Sequence, residues 1–242
     1  MLAALALLCA ACSSPALPAK PPLYVLTALP LFWGEGDVRD IIQGQSRRAP
    51  SLNQLSQNWD VRPLDMASAE ELQSVGRLLL IQPPRLAPHE LVALDAWMRR
   101  GGLVVILADP DLRWPQQRAL GDPRRAPQAS LLSPLYRHWG LDLVADSPVG
   151  PPRRARIGGQ LLVLAGSGHW KRQSGPCDVP DPALAICSLG QGLALLISDA
   201  DFLHPSRDAR GFLRGFAALN QLLTQKIKEN QRTKKGELEK KP

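Results

Sequence analysis

Short apolar runs alternate with polar, proline-bearing stretches along the 242-residue chain, and the run lengths separate strands from helices. Leu23–Leu29 is a continuous apolar run, the pattern of a strand covered on both faces. Leu31 to Gly36 follows as a glycine-bearing loop. Ser51–Asn58 predicts a short helix and Val61–Leu64 a second strand. Arg77–Gln82 is a clearer buried strand, stopped by Pro83 and Pro84. Pro88 suits a first helical turn, where its missing N–H has no partner to lose. Leu91, Leu94 and Met98 then recur at helical spacing, with Trp97 beside them, and predict a helix facing a sheet. Arg99 and Arg100 suit the negative end of that helix, and Gly101-Gly102 provides its stop. Leu103–Ala108 is another buried strand, ended by Asp109-Pro110. Strand, helix and strand within about 30 residues form a βαβ unit, which requires a parallel, right-handed crossover.

Downstream, Pro115–Gln128 is rich in Arg and Pro and reads as an exposed excursion. Leu131, Leu132, Leu135 and Tyr136 mark a short helix that Gly140 ends. Leu161–Ala165 predicts a strand. Ala185–Ser188, Gly190-Gln-Gly and Leu193–Ser198 read as a hairpin whose second arm is buried. Phe212, Phe216, Leu219, Leu222 and Leu223 outline a closing amphipathic helix over 212–227. The expected fold is a three-layer α/β domain over 21–226, with a mostly parallel central sheet and an antiparallel hairpin near the C-terminus.

The two ends read differently. Met1–Ala11 is almost uniformly apolar and leads through Ala10-Ala11-Cys12 into Ser13, Ser14 and a proline-rich linker, so residues 1–20 read as an export leader. Cys12 then stands where a bacterial lipoprotein carries its lipid; the alternative is an uncleaved N-terminal anchor, although the run falls short of the ~20 apolar residues of a bilayer span. Residues 227–242 form a charged, disordered tail.

The formal charge of +7 raises the question of nucleic acid. Much of it sits in that tail, where six basic residues face three acidic ones. The other arginines are scattered among prolines without an aromatic–basic stacking pattern, so nucleic-acid binding is not expected. Cys177 and Cys187, ten residues apart, flank a proline-rich stretch. In an oxidising compartment they suit a disulfide closing a surface loop; the alternative is two buried thiols.

Four stretches taken in order carry a family resemblance. They are Leu78–Ile81 with the Pro88 helix and Arg100–Pro110; Leu131–Leu141, which ends a short helix in Trp139-Gly140; Gly190–Leu203; and Ala218–Leu223. Together they resemble the extracytoplasmic domain of GldG-like proteins, auxiliary components of ABC transport systems first associated with gliding motility. The resemblance implies a flavodoxin-type sheet similar to class I glutamine amidotransferase-like domains, and an ABC permease and ATPase, or other envelope proteins, as partners. It places the domain on the periplasmic side of a bacterial membrane, held by Cys12 or by the N-terminal apolar segment.

The chemistry offered by the sequence is sparse. No Gly-x-Ser-x-Gly or Gly-x-Cys-x-Gly elbow occurs, nor a P-loop, a dinucleotide fingerprint or a metal-ligand run, so no cofactor, metal or catalytic residue is expected. Ser167-Gly-His169 is the nearest approach to a nucleophile beside a base. Asp109 and Asp111 follow one buried strand, and Asp199, Asp201 and His204 follow another. In open α/β sheets, ligands bind at the carboxyl ends of strands. Together with Glu35 from the first loop, Asp109, Asp199, Asp201 and His204 are therefore candidates for binding a cation, sugar or amine. The competing role for an Asp at a strand end is to cap the next turn. The functional expectation is a non-catalytic accessory domain; the alternative is a periplasmic hydrolase or amidase built on these Asp and His residues.

Overall fold

Apolar runs that alternate sides along each strand need cover on both faces, and the chain supplies it from its own crossovers. A computed structural model describes residues 20–34, 39, 42–43, 48–148, 150–157, 160–166 and 168–204. The leader with Cys12, Glu35, the closing helix over 212–227 and the charged tail lie outside the described residues.

The chain begins with β1 (Pro22–Thr27), α1 (Pro50–Asn58) and β2 (Asp60–Pro63). After a 3₁₀ turn at Glu71–Ser74 come β3 (Arg77–Ile81), α2 (Pro88–Arg99) and β4 (Leu103–Leu107). A long excursion then holds α3 (Ser133–His138), β5 (Leu141–Ala145), β6 (Arg153–Ile157), β7 (Gln160–Leu164), β8 (Gly168–Arg172), β9 (Cys177–Asp181) and β10 (Leu184–Leu189). β11 (Gly192–Ile197) and a 3₁₀ turn at Asp201–Leu203 close the described chain.

The seven-stranded sheet has the order β2-β1-β3-β4-β11-β10-β9. β2, β1, β3, β4 and β11 are parallel; β10 returns antiparallel to β11, and β9 antiparallel to β10. The βαβ unit over 77–107 and the late hairpin therefore stand as the apolar pattern predicts. Leu79, Ile81, Val105, Leu107, Leu195 and Ile197 fill one face, packed under Leu52 and Leu55 of α1 and under Leu162 and Leu164 of β7. Leu78, Leu80, Val104, Ile106, Ala194 and Leu196 fill the other, under Leu94, Trp97 and Met98 of α2 and Tyr136 and Trp139 around α3. This is a three-layer α/β fold. Among the described residues no helix is long and apolar enough to cross a membrane.

The end of α2 shows how closely helix and sheet approach. Gly101 takes φ +114 directly after the helix, a backbone state that costs glycine little. Gly192 opens β11 beneath the last turn of α2, and a Cβ there would lie 2.0 Å from the Met98 carbonyl oxygen. Backbone on both sides must move to admit it, so Gly192→Ala is expected to lower stability by about 2 kcal/mol, read as a shifted urea midpoint.

Three differences from the sequence reading have physical causes. β5, β6, β8 and β9 are strands beyond those the apolar pattern predicts, β6, β8 and β9 because their stretches are too polar to show a buried-strand pattern; β5 pairs only with β8 and β6 only with β7, in two small antiparallel sheets. α3 starts at Ser133 rather than Leu131, and Leu131 is exposed. The disulfide Cys177–Cys187 is present but closes no surface loop. The two cysteines are direct partners across β9 and β10, with Cα atoms 4.0 Å apart, and both are fully buried. The proline-rich stretch between them is largely β9 itself. Pro180 is accommodated because β9 is the sheet edge, where a missing N–H breaks no ladder.

Candidate functional site

β4 and β11 are neighbours in register, Leu107 opposite Ile197, so whatever follows them emerges together at the carboxyl end of the sheet. Asp109 stands two residues beyond β4, and Asp199 two beyond β11. Both are buried, as is Asp201. Asp199 senses the other two: burial pushes it up to about 7, and the charges of Asp109 and Asp201 push the same way. The structure thus brings together three of the candidate residues.

Their oxygens are engaged by main chain. Asp109 Oδ1 accepts from the Asp111 amide at 2.9 Å and Oδ2 from the Ala200 amide at 3.2 Å. Asp199 accepts from the amide of Ala165, just past β7, and from Phe202 at 3.2 Å. Asp201 Oδ2 accepts from the Arg113 amide at 2.9 Å. His204 lies edge-on to Trp114 with ring centroids 4.8 Å apart. Asp199, Asp201 and His204 therefore tether two distant segments, around 165 and around 113, to the end of β11. Pro110 packs closely against Gly168, and the Ser198 hydroxyl donates to the Gly168 carbonyl at 2.9 Å.

Gln82 completes the seam, a role the sequence pattern alone does not single out. It is fully buried at the end of β3, with φ +39. Its Oε1 accepts from the Asp109 amide at 2.9 Å, while its Nε2 donates to the carbonyls of Asp109 at 3.1 Å and Pro127 at 3.0 Å. Three hydrogen bonds hold an unfavourable backbone angle and pin the 126–130 segment over the strand ends. The signal in the sequence is a lone amide ending an apolar strand before two prolines. The carboxyl end of β3, β4 and β11, where ligands enter doubly wound folds, is thus filled by the chain's own 109–114, 126–130 and 165–166 segments and by Gly168. Among the described residues, no group of three His, Cys, Asp or Glu side chains is arranged to hold a metal ion.

A second polar cluster sits on the small sheets. His169 Nδ1 lies 2.7 Å from Asp146 Oδ1, and Arg153 pairs with the same carboxylate. Ser167 lies outside the described residues. His89 and His138 are exposed, His138 being 3.6 Å from Asp95. Two concavities lie apart from the carboxylates. One is an apolar groove of about 400 Å³ between α2 and α3, lined by Leu91, Val92, Pro134 and His138. The other, of about 160 Å³ at the ends of β1 and β2, is lined by Thr27, Phe32, Trp33 and Asp65.

A family model described as an ABC-type uncharacterized transport system matches residues 20–155. No curated protein matches the chain. Among solved structures, the mmIFT52 N-terminal domain is similar in fold, with a TM-score of 0.52 at 13% identity over 84% of this chain and 97% of that one. The exo-beta-1,4-mannosidase Op5Man5 from Opitutaceae bacterium strain TAV5 gives a TM-score of 0.49 at 12% identity; 85% of this chain spans 36% of that one. The cytoplasmic protein STM1381 from Salmonella typhimurium LT2 gives 0.48 at 13% identity over 74% of this chain and 86% of that one.

Proposed function

Since the chain belongs to the auxiliary family of ABC-type uncharacterized transport systems, matched over residues 20–155, we propose that it is the non-catalytic, extracytoplasmic accessory domain of such a system. Its role is to hold a partner subunit in place rather than to transform a substrate. The observation that carries this reading is the filled sheet end: the carboxylates that would serve a ligand are spent on backbone amides of Asp111, Arg113, Ala165, Ala200 and Phe202. Internal tethering of this kind builds a rigid platform and leaves binding to the outer surfaces.

The buried cross-strand disulfide supports the periplasmic face of a bacterial membrane, since such bonds persist in oxidising compartments. Protein taken from native membranes under thiol-trapping conditions is expected to show no free thiol at Cys177 or Cys187. Reduction is expected to lower its stability by about 3 kcal/mol on the loop-entropy model. Free thiols in the trapped protein would argue for a reducing compartment. Cross-linked purification from the same membranes is expected to bring down a permease or ATPase subunit.

One observation favours a second reading. The His169–Asp146 contact has the geometry of a base and its orienting carboxylate, as a hydrolase would need. A screen of ester, amide and glycoside substrates separates the two readings. The accessory reading expects wild type, Asp201→Ala and His169→Ala to be equally inert; turnover lost in either variant would establish the hydrolase.

A further inference from the structure

The β6–β7 hairpin carries three arginines in its first strand, and their fates differ by side. In the antiparallel register Arg153 lies opposite Leu164, Arg154 opposite Val163, Ala155 opposite Leu162 and Arg156 opposite Leu161. Because side chains alternate along a strand, Arg153, Ala155, Leu162 and Leu164 share one face, and Arg154, Arg156, Leu161 and Val163 the other. The first face is turned inward: Ala155, Leu162 and Leu164 are buried, and Arg153 is neutralised by Asp146. On the second face both arginines are exposed, and neither forms an ion pair among the described residues. Leu161 and Val163 beside them are 41% and 43% exposed.

Aliphatic side chains left in water directly across from unpaired guanidinium groups make a surface with two requirements at once. The guanidinium groups fit phosphate oxygens, which they bind in a bidentate fork. The aliphatics need an apolar phase at nearly the same depth. We propose that the outward face of this hairpin rests on an anionic lipid surface, with Arg154 and Arg156 on headgroup phosphates and Leu161 and Val163 dipping below them. An interfacial element works in this way, its cationic side chains reaching up to the headgroups while its apolar side chains enter the acyl boundary. An acidic protein segment would satisfy Arg154 and Arg156 but gives no reason for aliphatics at the paired positions, so lipid is the better match. The contact is small and binds weakly by itself. For a domain held beside a membrane by its transport system, a weak contact suffices to fix orientation, because the surface is always at high effective concentration.

The test uses the full chain and sedimentation with phosphatidylcholine vesicles, with and without phosphatidylglycerol. The wild type is expected to bind only the anionic vesicles. R154E/R156E is expected to weaken that binding about tenfold, and L161S/V163S about threefold, at unchanged circular dichroism. The basic tail contributes equally to all variants, so the differences read the hairpin alone. V163W places a reporter on the same face, and brominated-acyl phosphatidylglycerol is expected to quench it beyond the wild-type level. Binding of both double variants within twofold of wild type overturns the proposal, as does an unquenched V163W. If L161S/V163S binds as wild type while soluble poly-glutamate displaces the protein, the face belongs to an acidic partner protein and the lipid assignment falls.

Discussion

Asp109→Ala is expected to lower the unfolding free energy by about 3 kcal/mol, the sum of one buried and one half-buried amide losing their acceptor at roughly 1–3 kcal/mol each. Those amides belong to Asp111 and Ala200, so a single substitution releases both the start of the excursion after β4 and the turn after β11. The carboxylate is fully buried, and water cannot take its place without opening the seam. Asp109→Asn keeps one acceptor oxygen and should cost about half as much. Urea unfolding of both variants provides the measurement. A loss below 1 kcal/mol for Asp109→Ala would mean that the segments around 111 and 200 are held by something else.

The second large effect is a dependence on pH. Burial, joined by the charge of Asp109, raises Asp199 to about 7 in the folded protein, against about 3.9 for an unfolded aspartate. Between those values the folded chain binds more protons than the unfolded one, so this group makes stability fall as pH rises. The penalty is absent below about pH 4, grows through the window up to 7 and is complete above it, reaching on the order of 4 kcal/mol. In Asp199→Asn this contribution is expected to vanish: the variant should be less stable than wild type at pH 5, having lost an acceptor, and should overtake it at pH 8. Midpoints of urea unfolding at the two pH values decide it; parallel profiles for wild type and variant would refute the buried, proton-holding carboxylate. Asp109→Asn should shift the same titration downward, since it removes the neighbouring charge.

The parts of the fold legible in the sequence are those whose signal is local. β3, α2 and β4 are bounded by Pro83-Pro84, Pro88, Gly101-Gly102 and Asp109-Pro110, and the structure places them where those signals do. β6, β8 and β9 lack such a signal, because Arg-Arg-Ala-Arg-Ile or Cys-Asp-Val-Pro-Asp becomes a strand only beside its partner. The family match covers residues 20–155, so it takes in β1 and α1 but stops short of the Gly190–Leu203 stretch on which the resemblance partly stood.

The site shows the same division. That Asp109, Asp199 and Asp201 lie at strand ends could be read from the chain; which way they point could not. Asp199 takes the amide of a residue 34 positions away and Asp201 that of one 88 positions away. A carboxylate at a strand tip faces a ligand or a loop depending on whether a distant segment folds back over it. Gln82 carries no local signal of its role for the same reason, because its partners at Asp109 and Pro127 are 27 and 45 residues distant.

The closed sheet end is the feature on which the rest turns, and residue-resolved hydrogen exchange tests it directly. The amides of Asp111, Arg113, Ala165, Ala200 and Phe202 should exchange as slowly as those of β4 and β11, opening only with global unfolding. In Asp199→Asn only one of the Phe202 and Ala165 amides, the one facing the new side-chain nitrogen, should lose protection. Rapid exchange at all five positions in the native protein would mean that the crevice stands open, with its carboxylates free to serve a ligand or a reaction.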